Sequence, residues 1–199
     1  LDIAEARRLI VLEDCAQAHG TEHKGHRVGS LGHAGAFSFF ATKHMTTGEG
    51  GMITTNDPDA ANQCRIIRNH GMSGRDAHVR LGFNNRMTEM QAAMGLVQLE
   101  KLDAFNRKRI ENSEHILDHA RKTHWAHVPV SEKAGIKHTY FWCPVMVKPE
   151  SGKTIEDLKN HLRQNGIGFR ERYQEPLNRQ PVLKKPGLDY GNEYLPNAE

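Results

Sequence analysis

Cysteine is scarce in this chain. Cys15, Cys64 and Cys143 are odd in number, far apart and form no CxxC pair. This argues against a disulfide framework and suits a reducing cytoplasm. No run approaches the eighteen or so consecutive apolar residues of a membrane span. No basic, apolar leader with a small-residue cleavage site opens the chain, so no secretion signal is expected. A dominant charge is missing as well: 27 Lys and Arg stand against 24 Asp and Glu, a net charge of +3. The basic residues are scattered, and "RKRIENSEHILDHARK" mixes both signs as a solvated helix face does. Nucleic-acid binding calls for a concentrated basic stripe and is disfavoured. An initiator Met is absent too. The chain opens at "LDIAEARR" and stops at "YLPNAE", which reads as a piece of a longer protein lacking its N-terminal part and C-terminal end.

What is present is ordinary globular text, 199 residues at 37% hydrophobic and 26% charged, enough for one domain or somewhat more. "RLIVLED" is a short Ile- and Val-rich run that predicts a buried strand, with Glu13 and Asp14 at its carboxyl end. That edge is where open α/β sheets bind ligands. "GAFSFF" and "GGMITT" predict two more strands. Too few residues separate them for a helical crossover, so an antiparallel pair is expected.

"DPDAANQCRIIRNHG" predicts a helix capped by Asp57, with Pro58 in its first turn and Gly71 beyond its end. A long helix is expected from near Thr88, where Thr88 and Gln91 match a capping box, to about residue 122. Met90, Met94 and Val97 repeat on it at helical spacing and read as core or dimer packing rather than a substrate pocket. After residue 124 the text changes. "HTYFWCPVMV" predicts a strand, and "TIEDLKNHLRQNGIGF" predicts a capped helix closed by Gly166. The expected organisation is α/β: residues 1–124 as part of a large domain and 125–199 as a smaller α+β domain.

Three features carry chemistry. Asp14 ends a strand, with Gln17 three residues later. Ser38 lies in a strand five residues before Lys43. Asn84 sits in the loop "GFNNR" ahead of the long helix. An amine, a carboxylate and polar groups for a phosphate are what pyridoxal 5′-phosphate requires. The lysine bonds the aldehyde, and the acid keeps the ring nitrogen protonated so that the ring draws electrons. Each feature also has a plain reading: a capping acid, a solvated loop lysine, a serine bonded to a neighbouring strand.

Longer stretches add to this. "EDCAQAHGTEHKGHRVGSLGHAGAFSFFATKHMTTGEGGMITTND", "RNHG", "GFNNRMTEMQAAMGLVQLEKLD" and "GIGFRERYQEPLNRQPVL" together resemble the sugar aminotransferases of the DegT/DnrJ/EryC1/StrS family, over nearly the whole chain. The resemblance implies a type I aminotransferase fold, with a large domain around a mostly parallel sheet and a small C-terminal domain. It implies Lys43 as the Schiff-base lysine and acid/base, with Asp14 at the pyridinium nitrogen. It also implies Gln17 against the ring, Ser38 on the phosphate, and Asn84 reaching the cofactor of a second subunit in a homodimer. The implied reaction moves an amino group, from glutamate, to a keto sugar nucleotide in the cytoplasm, with neither nucleic acid nor membrane as partner. Two positions depart from the family pattern: His44 stands where Asn often follows the lysine, and Asn85 where an aromatic often follows Asn84. The family's upstream phosphate loop and ring-stacking aromatic are not in this sequence. In dehydratase relatives His replaces the lysine, and Lys43 argues against that outcome.

His19, His23 and His26 have ligand-like spacing, but no Cys or acid cluster completes a tetrahedral set, and no metal is expected. "TTGEGG" lacks the GK[ST] ending of a phosphate loop and reads as a tight turn. His44, His70, Arg86 and Tyr173 are candidates to face substrate or to be structural. Cys15 reads as buried filler, with no positive neighbour in sequence to activate it. The runner-up function is a non-catalytic truncated or regulatory relative that keeps the dimer surface without a competent cofactor site.

Overall fold

The computed structural model describes residues 1–128, 135–171, 175–184 and 195. It combines mixed sheets with helices and divides into two compact units, Leu1–Lys148 and Pro149–Glu199. In chain order the first unit runs α1 (Asp2–Ala6), β1 (Leu12–Asp14), β2 (Glu22–His23), β3 (His26–Arg27), β4 (Ala34–Ser38) and β5 (Gly51–Thr54). It continues with α2 (Pro58–Ile67), β6 (Met72–Gly74), β7 (Ala77–His78), α3 (Glu89–Arg121), β8 (Ala126–His127), β9 (Ile136–Lys137) and β10 (Met146–Val147). The second unit holds α4 (Ile155–Gln164).

The sheet that matters for function has the order β1-β4-β5. β1 and β4 run parallel, and β5 returns antiparallel to β4 with Ser38 opposite Gly51, as the short connection requires. The expected buried strand over "RLIVLED" is only three residues long. Leu9, Ile10 and Leu12 stay exposed, Leu12 at 74%. The physical reason is position: among the described residues β1 pairs only with β4, so its apolar side chains have few neighbours.

Helix boundaries follow local capping. Asp57 accepts from Asp59 N and Ala60 N at the start of α2. Thr88 and Gln91 form a capping box for α3, and Thr154 with Asp157 forms another for α4. Each such cap is worth ~1 kcal/mol. Gly166 follows α4 with φ +67°. α3 buries Leu102, Asn106, Ser113, Leu117 and Ala120. Leu102 joins Phe39 and Met45 in the central cluster, against which Phe37 and Met87 pack. Met90, Met94 and Val97 lie outside that core, on an exposed face of α3.

The expected strand over "HTYFWCPVMV" shrinks to Met146–Val147. Tyr140 has φ +48°, which breaks an extended run, and Pro144 has no N–H to give a ladder. The segment before it behaves differently: β9 pairs with β2, matching Glu22 with Lys137. Tyr173 lies outside the described residues. Among the described residues no helix is long and apolar enough to cross a membrane.

Candidate active site

The parallel register sets Asp14 beside Ala36, and Cys15 N donates to Ala36 O at 2.9 Å. Ser38, two residues further along β4, therefore ends its strand at the same sheet edge as Asp14. Asp14 builds the turn that follows, its Oδ1 accepting from Ala16 N at 3.0 Å. Exposed Gln17 lies in this turn. Past Ser38, Phe39 ties the ends of the next loop: its N donates to Gly50 O at 2.8 Å, and its O accepts from Thr47 N at 3.0 Å. Lys43 N donates to Phe40 O inside that loop, and the loop holds Lys43 at the edge where Asp14 and Ser38 lie. "TTGEGG" forms the return turn, with Gly48 and Gly50 at positive φ. Thr47 Oγ1 donates to Glu49 O, which also accepts from Gln91 Nε2 on α3.

These groups keep unused bonding capacity. Asp14 accepts at Oδ1 only, its second carboxylate oxygen having no partner among the described residues. Ser38 Oγ accepts from Phe40 N at 3.3 Å and retains its own proton. No ion pair among the described residues engages Lys43. Its ammonium instead lies over the Phe141 ring, 4.9 Å from the centroid.

Behind the lysine is a buried aromatic wall. His19 and His44 are 2% and 3% exposed, with ring centroids 5.4 Å apart. His19 also meets Phe37 and Phe39, and His44 meets Phe141. His44 Nε2 lies 3.2 Å from Thr139 O, and Thr139 Oγ1 hydrogen-bonds Thr21 Oγ1 at 2.8 Å. Among the described residues His44 Nδ1 has no partner of hydrogen-bond geometry, and the His19 ring has only the backbone of Ser38 nearby. Burial pushes the His44 pKa down to about 4, with the charge of Arg109 adding to it. Burial lowers His19 too, against the raising effect of the Ser38 backbone, and the nearby Lys43 charge adds to the lowering. Both rings are neutral at pH 7. His44 is thus a wall residue directly behind Lys43, while His19, His23 and His26 do not converge: His19 is buried and the other two are exposed.

Glu13 is the acid whose importance the sequence conceals. Its carboxylate accepts from Gly29 N at 2.8 Å, Leu31 N at 2.8 Å and Gly32 N at 2.7 Å. Burial pulls its pKa upward, but the three donors outweigh burial and hold it below the usual value. The loop before β4 is thereby fastened to β1. The signal available in sequence was the glycine spacing of "GSLG" after an acid-ended strand. Cys15, next in sequence after Glu13 and Asp14, is buried. Burial first, then Glu13 and Asp14, push its thiol up to about 11, so it is inert filler.

Asn84 has its own set of partners. It forms an isolated bridge with Asn69, and its Oδ1 accepts from Arg86 Nε at 2.9 Å. His70, at φ +57°, donates through its N to Phe83 O. No described contact joins Asn84, His70 or Arg86 to Asp14, Gln17, Ser38 or Lys43.

Comparison with known proteins bears on this arrangement. The model of the DegT/DnrJ/EryC1/StrS aminotransferase family matches residues 1–199. The GDP-perosamine synthase of Escherichia coli O157:H7 is 36% identical over 188 residues, 93% of this chain and 50% of that protein. Among solved structures, S. venezuelae DesV in complex with a ketimine intermediate superposes with a TM-score of 0.84 at 29% identity, covering 98% of this chain and 49% of DesV. The E. coli GDP-4-keto-6-deoxy-D-mannose-3-dehydratase with bound hydrated PLP gives a TM-score of 0.74 at 28% identity, covering 85% and 47%. The chain spans about half the length of the curated relatives it matches.

Proposed function

Because this chain belongs to the DegT/DnrJ/EryC1/StrS aminotransferase family, we propose that it is part of a pyridoxal-phosphate-dependent aminotransferase of type I fold. The enzyme passes an amino group from glutamate to the keto group of a nucleotide-linked sugar, for amino-sugar or surface polysaccharide synthesis. The observation that carries the reading is the shared sheet edge: Asp14 and Ser38 end adjacent parallel strands, and the loop after Ser38 carries Lys43, which pairs with no acid among the described residues.

The donor set suits the cofactor. Pyridoxal phosphate, when bound, supplies an electrophilic aldehyde and an electron-withdrawing ring. Lys43 would anchor it through Nζ and, once displaced, hold and move a proton at that atom. The free carboxylate oxygen of Asp14 is the group suited to keep a ring nitrogen protonated. Ser38 has its hydroxyl proton to give a phosphate oxygen, and Gln17 an exposed amide with no bond to the described residues. No described contact joins Asn84 to this edge, which leaves it available for a contribution to a second copy in a homodimer. His70, Arg86 and Tyr173 are carried as substrate-facing candidates, whereas His44, buried behind the lysine, serves as its support.

The reading places residues 1–124 in the large cofactor-binding domain and 125–199 in the small one, in a cytoplasmic enzyme. Lys43 also favours transamination over the dehydration named for one structural relative. The test is direct. Protein mixed with pyridoxal phosphate should develop visible absorption that Lys43→Ala abolishes, together with amino transfer from glutamate to a keto sugar nucleotide. Absorption that persists unchanged in Lys43→Ala would sink the reading.

A further inference from the structure

A cavity of about 620 Å³ opens between the C-terminal half of α2 and the segment that carries Arg86. Among the described residues Arg65, Arg68 and Arg86 line it, with Asn62, Asn69 and Ser73, and no carboxylate does. None of the three arginines forms an ion pair among the described residues. From this the geometry points to an anion site that takes a phosphate- or diphosphate-bearing ligand.

The plain alternative is that Arg65 and Arg68 merely offset the negative end of the α2 dipole. The backbone argues against it, because that helix end is already satisfied. Ile66 O accepts from Asn69 N and Gly71 N, Cys64 O from Arg68 N, Ile67 O from Phe83 N, and Arg68 O from Asn85 N. With those carbonyls engaged, little negative potential remains for the guanidiniums to answer. The same bonds fasten residues 83–85 to α2, so two walls of the cavity are fixed relative to each other before any ligand arrives. Arg86 is further oriented by Asn84 Oδ1. Guanidinium forks match phosphate oxygens in pairs, and such charge-assisted bonds are roughly twice as strong as neutral ones. The volume falls within the few hundred to about 1,000 Å³ usual for small-molecule pockets, more than a bare phosphate fills. A phosphate attached to a larger group, such as a nucleoside diphosphate, uses the space better.

This site goes beyond the reading above, since Arg65, Arg68, Asn69 and Ser73 have no part in it. The test is calorimetric titration of the purified chain with pyrophosphate at low salt and at 0.15 M salt. Saturable binding that weakens with salt is expected, since exposed charges are screened. The double variant Arg65→Gln/Arg68→Gln should weaken it tenfold or more with unchanged circular dichroism. The pair Arg65→Lys/Arg68→Lys, milder for folding, keeps charge but loses the fork and should weaken it at least threefold. Tighter binding of GDP or dTDP than of pyrophosphate assigns the cavity to a nucleotide, and equal affinity assigns it to the phosphates alone. Lys43→Ala should bind pyrophosphate as the wild type does, which separates this site from the cofactor reading. No saturable binding, affinities within twofold across the arginine variants, or loss of binding in Lys43→Ala would each overturn the proposal.

Discussion

Lys43 Nζ lies over the face of Phe141, 4.9 Å from the ring centroid, although 98 positions separate the two residues in sequence. A cation over an aromatic face at this distance gains about 0.5–1 kcal/mol, more when desolvated. The contact belongs to the free ammonium and must be given up when the amine engages an aldehyde. Phe141→Leu keeps apolar bulk but removes the ring quadrupole. It should therefore tighten the apparent affinity for pyridoxal phosphate about two- to fivefold, measured by titrating the lysine-dependent absorption. Weaker binding in this variant would mean that the ring positions the lysine rather than competes for it.

Glu13→Gln tests the clamp on the loop before β4. A neutral amide offers one acceptor oxygen and turns an NH2 toward N–H donors that the carboxylate satisfied. The expected loss is about 2–3 kcal/mol, read as a lower denaturation midpoint. Because the folded pKa of Glu13 is depressed, its contribution is present above the unfolded value near 4.5 and fades as pH falls below it. Wild type and variant should therefore differ most near neutrality and converge in acid.

Legibility from sequence divides along the distance between cause and effect. The starts of α2, α3 and α4 were readable because Asp57, Thr88 and Thr154 cap them from within a few residues. The β4–β5 hairpin was readable because its loop is too short for anything else. The clustering of Asp14, Ser38 and Lys43 at one edge followed from strand order alone. What could not be read depends on remote partners. Nothing near Phe141 announces that it returns to Lys43, and no local pattern shows that three N–H groups of residues 29–32 close on Glu13. The shortness of β1 depends on which strands lie beside it, and the break after β9 on a left-handed Tyr140. The chemical roles of Lys43, Asp14, Gln17, Ser38 and Asn84 rest on the family resemblance, because spacing alone leaves each with a plain structural reading.

His44 makes stability sensitive to mild acid. The folded chain resists protonating it until about pH 4, whereas the unfolded chain protonates it near 6.5. Between those values the unfolded state binds more protons, so stability falls as pH drops through this window and is unaffected by His44 above it. The separation corresponds to a loss on the order of 3 kcal/mol. Urea midpoints at pH 7 and pH 5 should differ in the wild type and differ less in His44→Gln. His19, also shifted down, should leave a residual slope that His19→Gln removes.

Gly82→Ala probes the junction between α2 and the loop of Asn84 and Arg86. A Cβ on Gly82 would collide with the backbone of Gly71, and one on Gly71, itself at φ +73°, would collide with Arg80 O. The obstacle is main chain on both sides, so no side-chain rotation relieves it. The junction must open, which strains the bonds from His70 N to Phe83 O and from Phe83 N to Ile67 O. The expected cost is about 2–4 kcal/mol, the range of overpacked sites and broken buried networks. Amide exchange should locate it, with protection lost first at Phe83 and Asn85 while the β4–β5 hairpin stays protected. Because those bonds also hold the arginine-lined cavity together, pyrophosphate affinity should fall in Gly82→Ala even though no arginine has been changed.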